Sequence, residues 1–166
     1  MATNAFHWPP RSLAPLRYSL DQLAGSVRNP PKTRTDEEQM WLTRFLVVRT
    51  CGHLEQVAYE TARAYVDAKS GGLVRAFASS WLVKTRNPTP ENLLDLAARF
   101  GRSLGERLGE LLEKDDQHLH REISFLVDRR NKIAHGLSEG LSAAKALALE
   151  NDADIVGGWL IENFHP

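Results

Sequence analysis

The stretch DRRNKIAHG, residues 128–136, crowds two arginines, an asparagine and a histidine into one short segment. Arg130 carries a planar guanidinium whose donors match a phosphate group. His135 can give and take protons near neutral pH. Asn131 lies four residues before His135, on the same helix face, where it can orient the ring or hold a phosphate oxygen. These residue types suit a negatively charged substrate. Arg130 precedes His135 by five residues, so the two diverge by about 140° around a helix. Either the arginine swings across, or a second chain completes the site. That spacing points to a dimer.

Helix termination is the competing reading of the same residues. Gly136 is well placed as the left-handed residue that ends a helix. Basic side chains in a last turn are favoured by roughly 0.3–1 kcal/mol at the negative end of the helix dipole. This reading accounts for everything except Asn131.

The rest of the chain must position these groups. Residues 1–11 hold two prolines and no periodicity, which predicts an extended arm whose Phe6 and Trp8 dock on the body or stay mobile. Residues 12–166 read as one helical domain. Leu13, Leu16, Leu20 and Leu23 predict a first helix, closed by Asn29-Pro30-Pro31. Thr35 and Glu38 form a capping box that opens a long helix. Trp41, Phe45, Val48, Cys51, Leu54, Ala58, Ala62 and Tyr65 mark its inner face, and Gly52 is the expected bend. A shorter helix over 73–84 is expected to bury Leu73, Phe77, Trp81 and Val83 or Val74. Thr89 caps the next helix, with Pro90 in its first turn and Leu93, Leu94, Leu96, Ala97 and Phe100 facing the core. Gly101 and Gly105 blur the connection onward. Residues 116–135 form the penultimate helix, with Leu119, Ile123, Leu126 or Val127, and Ile133 inside. Leu141, Ala144, Leu147, Ile155, Trp159 and Leu160 supply the last helix, with a break expected near Asn151-Asp152. No strand pattern appears, so the fold is an all-α bundle of five to seven helices.

Composition narrows the function. Basic and acidic residues balance at 21 each, so any nucleic-acid surface must be a local patch. The single cysteine, Cys51, can form neither an internal disulfide nor a thiolate zinc site. That fits a reducing cytoplasm, and no run is apolar enough to span a membrane. Phosphate-binding glycine loops and the nucleophile elbow are absent. His118 and His120 lie near Asp115, Asp116 and Glu122, but two residues apart they point to different faces. We read them as a solvated helix start, not a metal site.

The segment RNKIAHG resembles the signature of HEPN domains, the higher-eukaryote and prokaryote nucleotide-binding family. Its catalytic members carry an arginine, four to six residues, then a histidine, with a polar residue after the arginine. LVVRTCGHLEQ (46–56) and TRNPTPENLLDL (85–96) are similar to segments of the RiboL-PSP-type branch. The resemblance extends over roughly residues 36–164. It implies a helical core that pairs as a homodimer and brings two Arg/His motifs into one cleft. It further implies a metal-independent, cofactor-free endoribonuclease of toxin or phage-defence type, with RNA as substrate. An antitoxin or other defence-system partner fits the same setting. By the resemblance, His135 is the general acid/base, Arg130 stabilises charge on the phosphorane, and Asn131 positions the histidine or the phosphate.

Weaker candidates surround this trio. Arg49 interrupts an apolar stretch and must pair with an acid or face a cleft, and Glu55 lies in the same segment. Arg129 and Lys132 suit a basic rim for phosphate contacts. Trp41, Trp81 and Trp159 sit at core spacing and read as packing. The alternative function is a non-catalytic dimer of the same fold that holds RNA, a nucleotide or a protein. A third, a toxin silenced by modification of a tyrosine just after the histidine, is disfavoured because no tyrosine follows Tyr65.

Overall fold

The computed structural model describes residues 7–82, 86–137 and 140–166. Six α-helices and no strand occur among them. They are α1 (Leu13–Arg28), α2 (Asp36–Lys69), α3 (Gly72–Leu82), α4 (Pro90–Phe100), α5 (Arg102–Ala134) and α6 (Ala143–Asn163). None is long and apolar enough to cross a membrane.

Local capping chemistry starts the helices where the sequence places it. The Thr35 N–H donates to Glu38 Oε2 at 2.8 Å, and the Glu38 N–H donates to Thr35 Oγ1 at 3.2 Å. The backbone N–H of Thr35 holds the Glu38 carboxyl below its ordinary range. Thr89 accepts from the Asn92 N–H at 3.2 Å, with Pro90 in the first turn.

From its capping box α2 runs through Gly52 as one 34-residue helix, the central post of the bundle. Leu46, Val47, Cys51, Leu54, Val57 and Ala62 are its buried side. Trp41 and Phe45, expected inside, are 56% and 51% exposed. The reason lies in what packs there. α6 packs on α2 with Gly157 in the contact, where a Cβ would meet Val57 Cγ1 at 3.6 Å, and α1 and α5 also pack on α2. These three helices cover the aliphatic side of α2, and the Trp41/Phe45 side is left outside.

The same packing sets α6. It is unbroken across Asn151-Asp152, contrary to expectation. Ile155 and Ala144 face out and Trp159 is half-buried, while Leu149, Val156 and Leu160 fill the core. At the other end of the chain, Trp8 donates to the Ile161 carbonyl at 3.0 Å and packs edge-on against His165. Phe6 lies outside the described residues.

The largest departure is α3. No residue of it is buried: Leu73 is 90% exposed, and Val74, Phe77 and Trp81 are all more than half exposed. Val83 lies outside the described residues. α5 also differs from a single rod. Its halves meet at a break over Lys114–Gln117, where Asp115, Asp116 and Gln117 take positive φ of 52°, 57° and 59°. Aspartate tolerates this region better than most residues because its short carboxylate bonds locally. The second half of α5 then carries Leu119, Ile123, Leu126 and Val127 inward and ends at the RNKIAHG segment.

Candidate active site

The end of α5 is a complete left-handed cap. The Gly136 N–H donates to Ile133 O at 3.0 Å, and the Leu137 N–H donates to Lys132 O at 2.9 Å. Gly136 takes φ +73°, as this motif requires. Termination is therefore a property of the backbone here and uses no histidine side-chain bond. The His135 side chain is exposed and makes no hydrogen bond or ion pair among the described residues.

Arg130 is the opposite case. Its guanidinium is held from three sides. Nη2 donates to Asn87 Oδ1 at 2.5 Å, and Nη1 donates to Asn131 Oδ1 at 3.1 Å. Glu55 Oε2, on α2, lies 3.7 Å from Nη2. The Cys51 thiol also faces the guanidinium: burial pushes its pKa up, and Arg130 pulls partly against that shift. Arg130 and Glu55 are only partly exposed, so water screens this pair less than a surface pair. The guanidinium is thus held in place while the side chain stays partly exposed.

The other predicted residues divide clearly. Glu55 joins the site through Arg130. Asn131 turns its side-chain oxygen to Arg130, while its backbone carbonyl accepts from the His135 N–H at 3.0 Å. Arg49 instead points to α1, with Nη2 3.4 Å from Ser19 Oγ. Arg129 stacks on the Phe125 ring at 4.5 Å, and Lys132 pairs with Asp128 at 3.2 Å. His118 and His120 go to separate partners, Asp152 at 3.2 Å and Glu91 at 3.6 Å. Among the described residues no group of three or more His, Cys, Asp or Glu side chains could hold a metal ion.

Two residues of the site went unnoticed in the sequence. Asn87 sits in a loop, 43 residues before Arg130, and only the fold brings them together. Its one local signal is the Asn-Pro step before the Thr89 cap. Cys51 reads as an ordinary core residue, and nothing in its neighbours announces the arginine.

The penultimate helix of this all-α bundle thus ends in a held arginine and an exposed histidine. The RiboL-PSP-HEPN family matches residues 16–155, and the chain belongs to that family. The match begins inside α1, earlier than the residue 36 at which the sequence resemblance was placed. No curated protein and no solved structure gives a significant match.

Proposed function

We propose that this chain is a metal-independent endoribonuclease acting at a site completed by a second copy of itself. The observation that carries the reading is the contrast between Arg130 and His135. A guanidinium immobilised by Glu55, Asn87 and Asn131 suits a group that must meet developing charge at a fixed place. An exposed imidazole released from any cap duty suits a group that moves protons.

In the reaction, His135 takes the proton of a ribose 2′-hydroxyl as that oxygen attacks the adjacent phosphorus. Arg130 donates to the phosphorane oxygens as they gain charge. The 5′-oxygen leaves with a proton from a second imidazole, supplied by His135 of the partner subunit. The products are a 2′,3′-cyclic phosphate and a 5′-hydroxyl. Every role falls to a side chain, so the scheme draws on no metal or cofactor.

The face that supports pairing is the outer stripe of α2. Trp41, Phe45, Val48 and Gly52 follow one another at helical spacing, none is buried, and the next residue on that stripe is Glu55. The stripe is apolar and flat at Gly52, where an added Cβ would meet nothing within 4 Å. It runs directly to the carboxylate that holds Arg130.

Incubation with a mixed RNA pool in EDTA, beside His135→Ala and Arg130→Ala, tests the reading. Cleavage by the wild type alone, leaving cyclic phosphate ends, is the expected result. The Glu55 contact favours one second reading, a dimer that binds RNA without cutting, because the carboxylate competes with phosphate for the same guanidinium edge. RNA retained by all three proteins and cut by none would select it. A toxin or phage-defence role, with an antitoxin partner in the cytoplasm, is the setting in which such an activity would be restrained.

A further inference from the structure

Beside Arg130 lies a cleft of about 330 Å³, between α2, α3, the loop before α4 and α4 itself. Its lining is apolar at Ala58, Leu93 and Leu96, and Trp81 contributes an aromatic ring. Trp81 is 60% exposed, and its indole ring is open to a ligand. The Arg99 guanidinium stacks 5.7 Å from its ring centre. Asp95 pairs with Arg99 at 2.9 Å and with Arg86 at 3.3 Å, so this part of the cleft carries one excess positive charge. Both Glu55 and Asn87 line the cleft and also hold Arg130, which places the cleft next to the candidate site.

The polar atoms give the cleft a direction. A guanidinium has only donors, so the Asn87 atom facing Arg130 is its oxygen, and Asn87 Nδ2 is left to donate elsewhere. Asn92 Nδ2 donates to the Asn87 carbonyl at 2.8 Å, which leaves Asn92 Oδ1 as an acceptor. Neither remaining atom has a partner among the described residues. A donor and an acceptor on adjoining amides match a base edge that offers one ring-nitrogen acceptor and one exocyclic amino donor, as adenine and cytosine do. An aromatic face beside an apolar floor suits a stacked base, and the larger ring system of adenine fills the cleft better than that of cytosine.

We infer that this cleft binds an unpaired adenine of the RNA, stacked on Trp81 and read by Asn87 and Asn92, so that cutting is directed next to adenine. The inference rests on the proposed ribonuclease reading for its substrate, but base binding can be measured without cleavage. Asn87 is then a positioning residue shared by the base and the guanidinium.

The experiment titrates the full chain with adenosine monophosphate and uridine monophosphate by calorimetry, for wild type, Trp81→Ala, Trp81→Phe and Asn92→Ala. Cleavage positions are mapped on a mixed RNA in parallel. Adenosine monophosphate should bind about tenfold more tightly than uridine monophosphate. Trp81→Ala should weaken both nucleotides about tenfold while Trp81→Phe keeps both, and Asn92→Ala should erase the difference between them and scatter the cuts. Trp81 is exposed, and an unchanged melting temperature confirms that the variant is folded. Equal binding of the two nucleotides, or adenine binding indifferent to Trp81→Ala, overturns the inference even if RNA is cut. Adenine binding lost in Trp81→Ala, with no RNA cut by the wild type, upholds the pocket and removes the nuclease reading instead.

Discussion

The guanidinium of Arg130 donates to the side-chain oxygen of Asn87 across 43 residues of chain and a separation of 2.5 Å. That bond ties the end of α5 to the loop before α4. On its other side the same guanidinium meets Glu55 of α2. Three separate elements therefore converge on one arginine, and each contact limits where its charge can sit.

Asn87→Ala should lower cleavage by roughly ten- to a hundredfold, because a displaced catalytic group loses alignment more than binding. The stability cost should be about 1 kcal/mol, one hydrogen bond's worth. Glu55→Gln should behave differently. It removes the competing negative charge, so RNA binding tightens while turnover falls. Single-turnover kinetics beside filter binding separates the two, and parallel loss of both quantities in Glu55→Gln would contradict the positioning role.

Cap and chemistry should separate at adjacent residues. His135→Ala removes an exposed side chain and leaves the three backbone cap bonds of the α5 end intact, so its melting temperature should match the wild type while cleavage disappears. Gly136→Ala forces a side chain into φ +73°, with nothing within 4 Å of the new Cβ, so its cost is backbone strain of about 1–2 kcal/mol. Thermal melts of the pair should therefore rank opposite to their cleavage rates. A His135→Ala protein that melts several degrees low would return the histidine to a structural role.

What the sequence disclosed follows from the range of each interaction. The Thr35–Glu38 box, the Thr89 cap and the Gly136 stop depend on residues within a few positions, and each stands where the pattern puts it. The inner face of α2 is decided by its neighbours. Trp41/Phe45 and Leu46/Val47 offer two apolar sides, and only packing against α1, α5 and α6 selects between them. α3 has apolar periodicity and no burial, since periodicity records a capacity to pack without naming the partner. Arg130, Asn131 and His135 were visible as one segment. Asn87 was invisible as a partner, because its link to Arg130 exists only after α4 and α5 have packed.

The outer stripe of α2 should be the dimer face. Replacing both Trp41 and Phe45 with glutamate places two charges on a surface that is half exposed in the single chain. The protomer should keep its melting temperature, and light scattering should report a monomer. Cleavage should fall with dimerisation, since one chain offers one histidine to the site. A variant that stays dimeric would move the interface to another apolar face, of which α3 is the most exposed.

His53 should make the fold sensitive to mild acid. It lies on α2 facing α1 and α6. Burial depresses its pKa below the ordinary 6.5, Arg17 pushes the same way, Asp154 and Asp21 oppose, and Arg49 adds a smaller depression. Its Nδ1 is buried without a hydrogen-bond partner among the described residues. The folded chain therefore keeps the ring neutral at a pH where the unfolded chain takes up a proton. Stability from this group is present above about pH 6.5 and drains away as pH falls toward the depressed folded value. Glu150 beside Arg17 works in the other sense: burial raises its pKa above 4.5, so its contribution is lost as pH rises through that raised value. Comparison with His53→Gln cancels the Glu150 effect to first order. Urea midpoints at about pH 7.5 and about pH 5.5 should fall further for the wild type than for His53→Gln. Equal drops in the two proteins would mean that His53 titrates alike in the folded and unfolded chain.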